Sequence, residues 1–208
     1  MKVSPLLLLA AMLLAACSST SLISTWKEPG LPPQKFSKVL VLGMAGAKDR
    51  EIRESLENAM SQQLTASGIQ AATATATFGP KAFEGLSETE AVSQVSDKGF
   101  DGVMILSMLD KNKEKYYSPG RMSYTPFAVI RSHWYPYYRV IYDRTYTPGY
   151  YSTSVDYTLE ANLYSVKGQT LDYSAQGKTF DPSNASALAT SFSKAVVADM
   201  QKQGVVAK

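Results

Sequence analysis

A single cysteine, Cys17, and a single histidine, His133, narrow the chemistry open to this 208-residue chain. Zinc and related metal sites draw several Cys or His ligands from fixed spacings such as His-Glu-x-x-His, and none of these spacings occurs, so no metal ligand is assigned. No Gly-x-Ser-x-Gly elbow is present to expose a nucleophilic serine. Gly43-Met44-Ala45-Gly46-Ala47-Lys48 follows an apolar run, as a phosphate loop would. Its spacing is short, however, and Asp49 stands where a Ser or Thr would hold magnesium, so it reads as a plain strand-to-helix turn. Asp110 and Glu114 fall at the end of a central strand, a common ligand position in open α/β sheets. They lie among Lys111, Lys113 and Lys115 and read as solvated charge. No catalytic residue and no cofactor is expected, and the chain reads as non-enzymatic.

What the sequence does concentrate is aromatic surface. Ten of the thirteen tyrosines lie between Tyr116 and Tyr151, together with Phe127 and Trp134. Arg121, Arg131, Arg139 and Arg144 accompany them against one acid, Asp143. Tyr, Trp and Arg are the side chains enriched at interaction hot spots, because each offers a large rigid surface with a polar end. A long segment this rich in rings is unlike a disordered linker and reads as a binding insert. The candidate contact residues are Tyr117, Tyr124, Arg131, His133 and Trp134, continuing through Tyr135, Tyr137, Tyr138, Arg139 and Tyr142. His133 reads as a stacking neighbour of Trp134. Tyr117-Ser118-Pro119-Gly120 is echoed by Tyr146-Thr147-Pro148-Gly149, and Pro-Gly suits the centre of a type II turn, so these are expected as matched corners. Between them, Phe127 to Arg131 and Arg139 to Arg144 are expected to pair as a hairpin. A protein partner or self-association fits this surface. A glycan is the alternative, because ring faces stack on sugars and arginines hold acidic groups. A third possibility lays the rings on a bilayer, and a fourth folds them over the sheet as core.

Lys2, near the start, is followed by an apolar run of eleven residues, Leu6 to Ala16, which is the pattern of an export signal. A spanning helix needs about 20 apolar residues, so the run is too short to anchor the chain by itself. With one cysteine, no intrachain disulfide can form. Lys2 is the only charged residue of 1–16, so removing them leaves 20 Lys and Arg against 18 Asp and Glu. That balance argues against nucleic acid as a partner, which would call for a basic stripe.

Leu14-Ala15-Ala16-Cys17 resembles the lipobox of bacterial lipoproteins. That likeness implies cleavage before Cys17, diacylglycerol on its thiol, and a permanent membrane anchor. In the enterobacterial sorting rule, Ser18 after the lipidated cysteine permits transfer to the outer membrane, with the domain facing the periplasm. Residues 17–35, rich in Ser, Thr, Pro and Gly, read as a tether holding the domain off the bilayer. Trp26 within it is expected to pack back onto the domain.

Residues 36–208 read as one α/β domain with insert 116–151. Val39–Leu42 and Val103–Leu106 are short, wholly apolar runs suited to strands buried on both faces. Asp49 is a candidate N-cap for a helix whose stripe is Ile52, Leu56, Met60 and Leu64, closed by Gly68. Ile69 to Thr77 reads as a weaker edge strand, and Ser87 with Glu90 as a capping box opening a short helix. Val155, Tyr157, Leu159, Ala161 and Leu163 alternate with polar residues as a half-buried strand, and Lys167-Gly168 reads as a two-residue turn into the next. Asp181-Pro182 is expected to start the last helix, with stripe Leu188, Phe192, Val196 and Met200. Right-handed crossovers then give a mixed five-stranded sheet, order 2-1-3-4-5, with three helices and the insert between strands 3 and 4. The arrangement resembles a family of uncharacterised envelope lipoproteins and, more distantly, the amino-terminal domain of the Tol-system protein TolB. That resemblance implies a fold rather than an activity.

Overall fold

The computed structural model describes residues 20–33, 36–131 and 138–206, with backbone alone for Ala47, 125–131 and 138–143. The chain forms two compact units, one made of residues up to Asn112 and from Val155 onward, the other of Lys113–Ser154. Described strands are β1 (Thr20–Lys27), β2 (Lys38–Met44), β3 (Gln70–Thr73), β4 (Gly102–Ser118), β5 (Arg121–Arg131), β6 (Tyr138–Thr147), β7 (Tyr150–Ser165) and β8 (Thr170–Thr179). Described α-helices are α1 (Arg50–Ala66), α2 (Ala74–Phe78), α3 (Glu88–Asp97) and α4 (Ala185–Lys202).

The first unit is built on a sheet in the order β1-β8-β7-β4-β2-β3. β2 pairs in parallel with β3 and with β4, whereas β8 runs antiparallel to both β7 and β1. The expected neighbours are all present, but the sheet has six strands rather than five. The sixth is β1, formed by residues assigned above to the tether. It pairs with β8 from Thr20 opposite Thr179 to Lys27 opposite Tyr173, with a bulge at Ile23. Its two ends are held by α4 and the residue that caps it: the Thr20 hydroxyl contacts Ser191 Oγ at 2.8 Å, and Lys27 Nζ donates to the Gln203 carbonyl at 2.9 Å. Trp26 enters the fold through its backbone while 43% of its surface stays exposed.

Both faces of β2 are buried, as its apolar run requires. Val39 and Val41 point to the side covered by Leu56 and Met60 of α1 and by Leu188, Phe192 and Val196 of α4. Leu40 points to a smaller cluster with Ala74, Val95 and Phe100. On β7, Leu159, Ala161 and Leu163 are fully buried toward α1 and α4. The opposite side of β7 and β8 is half-buried and polar: the Glu160 carboxylate accepts from Asn162 Nδ2 at 2.9 Å and Gln176 Nε2 at 2.8 Å.

Four local expectations change. The strand after α1 stops at Thr73, whose hydroxyl accepts from the Ala76 amide at 3.1 Å and so caps α2, a helix in place of the predicted second half of the strand. Ser165 pairs with Thr170, so the β7–β8 connection has four residues, with Gln169 in the left-handed region at φ 50°. α4 starts three residues later than expected, capped by Asn184 Oδ1, which accepts from the Ala187 amide at 2.8 Å. Asp181 instead accepts from the Val155 amide at 3.1 Å, tying β7 to the end of β8. Asp49 occupies the N-cap of α1 but makes no capping bond. Two expectations hold: Gly68 adopts a positive φ after α1, and the capping box of Ser87 and Glu90 is complete.

Candidate functional site

Strands β5 and β6 lie within the second unit. β5 and β6 form a two-stranded antiparallel ribbon, registered from Arg121 opposite Thr147 to Arg131 opposite Tyr138. The expected hairpin is present and extends further toward the corners. A bulge between Pro126 and Ala128 shifts the alternation at Phe127.

Residues directly opposite each other in such a ribbon share a face. Met122 lies opposite Tyr146 and Tyr124 opposite Arg144, so these four form one face. Three are strongly exposed: Met122 50%, Tyr124 57% and Tyr146 64%. The Arg144 guanidinium carbon lies 5.9 Å from the Tyr124 ring centroid, within cation–π range. The other face carries Arg121, Ser123, Thr145 and Thr147 by the same register. One side is aromatic and apolar, the other hydroxyl-rich. Beside the corners, the rings of Tyr117 and Tyr151 lie 4.9 Å apart at 43°, and both are more than half exposed. Tyr116 donates to the Glu114 carboxylate.

The Pro-Gly corners are matched, but not as type II turns, because neither Gly120 nor Gly149 has a positive φ. Glycine is needed there for closeness. A Cβ on Gly120 would lie 3.0 Å from the Gly149 nitrogen, and one on Gly149 would lie 3.0 Å from the Gly120 nitrogen and from the Ser118 carbonyl oxygen. Backbone atoms cannot swing aside as a side chain can. Gly149→Ala is therefore expected to force the corners apart at a cost of about 1–3 kcal/mol, read as roughly 5- to 150-fold faster hydrogen exchange of the 121–124 and 144–147 amides. Amides of the first unit should keep their protection, and an unchanged ribbon would contradict the close approach.

Of the residues singled out by sequence, Tyr117 and Tyr124 stand on the exposed ribbon unit. In the backbone register Arg131 pairs with Tyr138, Arg139 with Ile130, and Tyr142 with Pro126. His133, Trp134, Tyr135 and Tyr137, and Cys17, fall outside the described residues. Sequence reasoning left out Met122 and Tyr146. The period-two pattern of Arg121-Met122-Ser123-Tyr124 against Arg144-Thr145-Tyr146-Thr147 carried the signal.

The first unit holds the segment that resembles a phosphate loop, with Asp49 and Asp110. The Gly43 amide donates to Glu57 Oε1 at 3.0 Å, and the Thr75 amide donates to Oε2 at 3.1 Å, so the buried Glu57 carboxylate takes up the amide of the first glycine in that segment. Lys111 Nζ sits 3.2 Å from Asp49 Oδ1, and the hydrogen bond to Asp49 holds the Lys111 ammonium above its ordinary range. Burial, with the Asp199 carboxylate accepting its hydroxyl at 2.9 Å, pushes the Tyr173 phenol far up. A cavity of about 440 Å³ lies under α3, lined mainly by Leu42, Phe83, Val92, Val95, Val103 and Ile105. Among the described residues no group of three or more His, Cys, Asp or Glu could hold a metal, and no helix is long and apolar enough to cross a membrane.

No family model matches the chain, and no curated protein matches it. Among solved structures it is similar to a PelC dodecamer from Paraburkholderia phytofirmans, at 12% identity over 86% of this chain and 95% of that one, with a TM-score of 0.46. Lipoprotein GNA1162 from Neisseria meningitidis is similar at 11% identity over 80% of this chain and 99% of that one, TM-score 0.42. A PDZ domain protein from Parabacteroides distasonis follows at 9% identity over 92% of this chain and 38% of that one, TM-score 0.38. At such identities and scores these likenesses carry no argument about function.

Proposed function

We propose that the chain is a membrane-anchored cell-envelope lipoprotein, a non-enzymatic accessory module that docks a protein partner, or a second copy of itself, on its Tyr-rich ribbon. The observation that carries this reading is the exposed face of Met122, Tyr124 and Tyr146 on a ribbon of only two strands. An isolated two-stranded ribbon is marginal in water, and a row of rings left on one side gains by being covered. Cys17 supplies the anchor through its lipobox, and Ser18 directs it to the outer membrane with the folded part in the periplasm. Arg144 beside the Tyr124 ring favours a second reading, in which the face stacks on a glycan and the guanidinium holds an acidic group.

The test is crosslinking in cells from a photoreactive residue at Tyr124, and separately at Tyr146. Capture of one defined envelope protein, or of this chain itself, supports docking. Capture of peptidoglycan or lipopolysaccharide alone moves the assignment to the second reading. Crosslinks to neither, with the label intact, end both.

A further inference from the structure

Cys17 stands three residues before Thr20, and Thr20 is already a paired residue of β1. The Thr20 hydroxyl lies 2.6 Å from Thr179 Oγ1 and 2.8 Å from Ser191 Oγ, so the start of β1 is bound to both β8 and α4. Three residues span at most about 11 Å, whereas the 17–35 tether expected from composition would have reached several times further. The anchor therefore leaves almost no slack. Whatever surface of the first unit surrounds Thr20 is drawn to the headgroups.

Two large apolar side chains stand exposed close to Thr20 in the strand register. Phe180 follows Thr179, the partner of Thr20, and is 50% exposed. Ile23, at the β1 bulge, is 59% exposed. Lys178 Nζ lies 5.0 Å from the Phe180 ring centroid, opposite Ser21 in the register. Its ammonium is also 3.3 Å from Asp156, so attraction to anionic lipid contributes little and the apolar side chains carry the contact. An exposed phenylalanine is costly beside water and favourable at the boundary between headgroups and acyl chains.

We infer that the Thr20 end of the first unit lies directly on the phospholipid surface, with Phe180 and Ile23 at the lipid–water boundary. This rests on the lipid anchor of the reading above and adds the orientation of the domain. The β7–β8 turn at Lys167 then faces away from the membrane, because β8 holds ten residues between the two ends, about 30 Å of strand.

Lipidation consumes the only cysteine, so F180C and K167C each give the mature protein a single free thiol for a nitroxide. Lipidated protein is reconstituted in vesicles of phosphatidylethanolamine and phosphatidylglycerol, and diacylglycerol on Cys17 is confirmed by mass before the label is read. The F180C label should collide readily with oxygen and poorly with a water-soluble nickel complex, and the K167C label should do the reverse. I23C, labelled likewise, should follow F180C and guards against a local effect of losing the phenylalanine. A lipidated chain whose 180 and 23 labels remain as open to nickel as the 167 label overturns the orientation alone. A chain lacking the lipid overturns the anchor, and this inference with it.

Discussion

Cells making the Cys17→Ala chain are expected to lose it entirely from their membrane fraction. Acyl chains stabilise attachment by roughly 0.8 kcal/mol per buried methylene, so two chains of about a dozen methylenes each contribute on the order of 20 kcal/mol. Nothing among the described residues replaces that: no helix there is long and apolar enough to cross. Phe180 and Ile23 offer only a few kcal/mol by burial and cannot hold the chain alone. The fold itself should be untouched, because Cys17 precedes Thr20, the first paired residue among those described. Fractionation with a thermal melt of the soluble variant checks both halves. A Cys17→Ala chain that still sediments with membranes would mean that another surface, the ribbon foremost, is the true attachment.

The largest loss of stability is expected from Phe192→Ala. Phe192 is fully buried on α4, and its ring lies so close to β8 that a Cβ on Gly177 would sit 3.1 Å from its Cε2. Gly177 is thus the hollow into which the ring and Leu22 of β1 both press, with Leu22 Cδ2 3.2 Å from the same point. Removing the ring leaves a cavity bounded by sheet backbone, which cannot collapse to fill it. The cost is about 3–5 kcal/mol, or a fall of roughly 6–20 °C in Tm for a chain of this size. Urea titration measures it. Because Leu22 shares the hollow, β1 should also loosen, with faster exchange at 20–27 than in β2. A loss below about 1 kcal/mol would contradict the packing.

The parallel half of the sheet was legible because Val39–Leu42 and Val103–Leu106 are apolar on both faces, and right-handed crossovers leave one order for the strands around them. β1 was hidden. Thr20–Lys27 has no strict alternation, and what orders it lies about 150 residues away on β8 and α4, a pairing that no local window contains. Ile69–Thr77 misled because Thr suits a strand and also caps a helix; Thr73 does the second. Pro119-Gly120 and Pro148-Gly149 were rightly read as corners, yet for the wrong property of glycine: crowding between two backbones leaves no trace in either segment alone. For the ribbon, the density of rings was plain in the sequence. Which rings share a face depends on register and on the Phe127 bulge, and these place Met122 and Tyr146 beside Tyr124.

Intact mass spectrometry of protein extracted from membranes bears most directly on the account. The expected result is a chain whose first residue is Cys17, with a diacylglyceryl group on its thiol and with or without a further acyl chain on its amine. A chain of unmodified mass, whether it starts at Met1 or elsewhere, would contradict it.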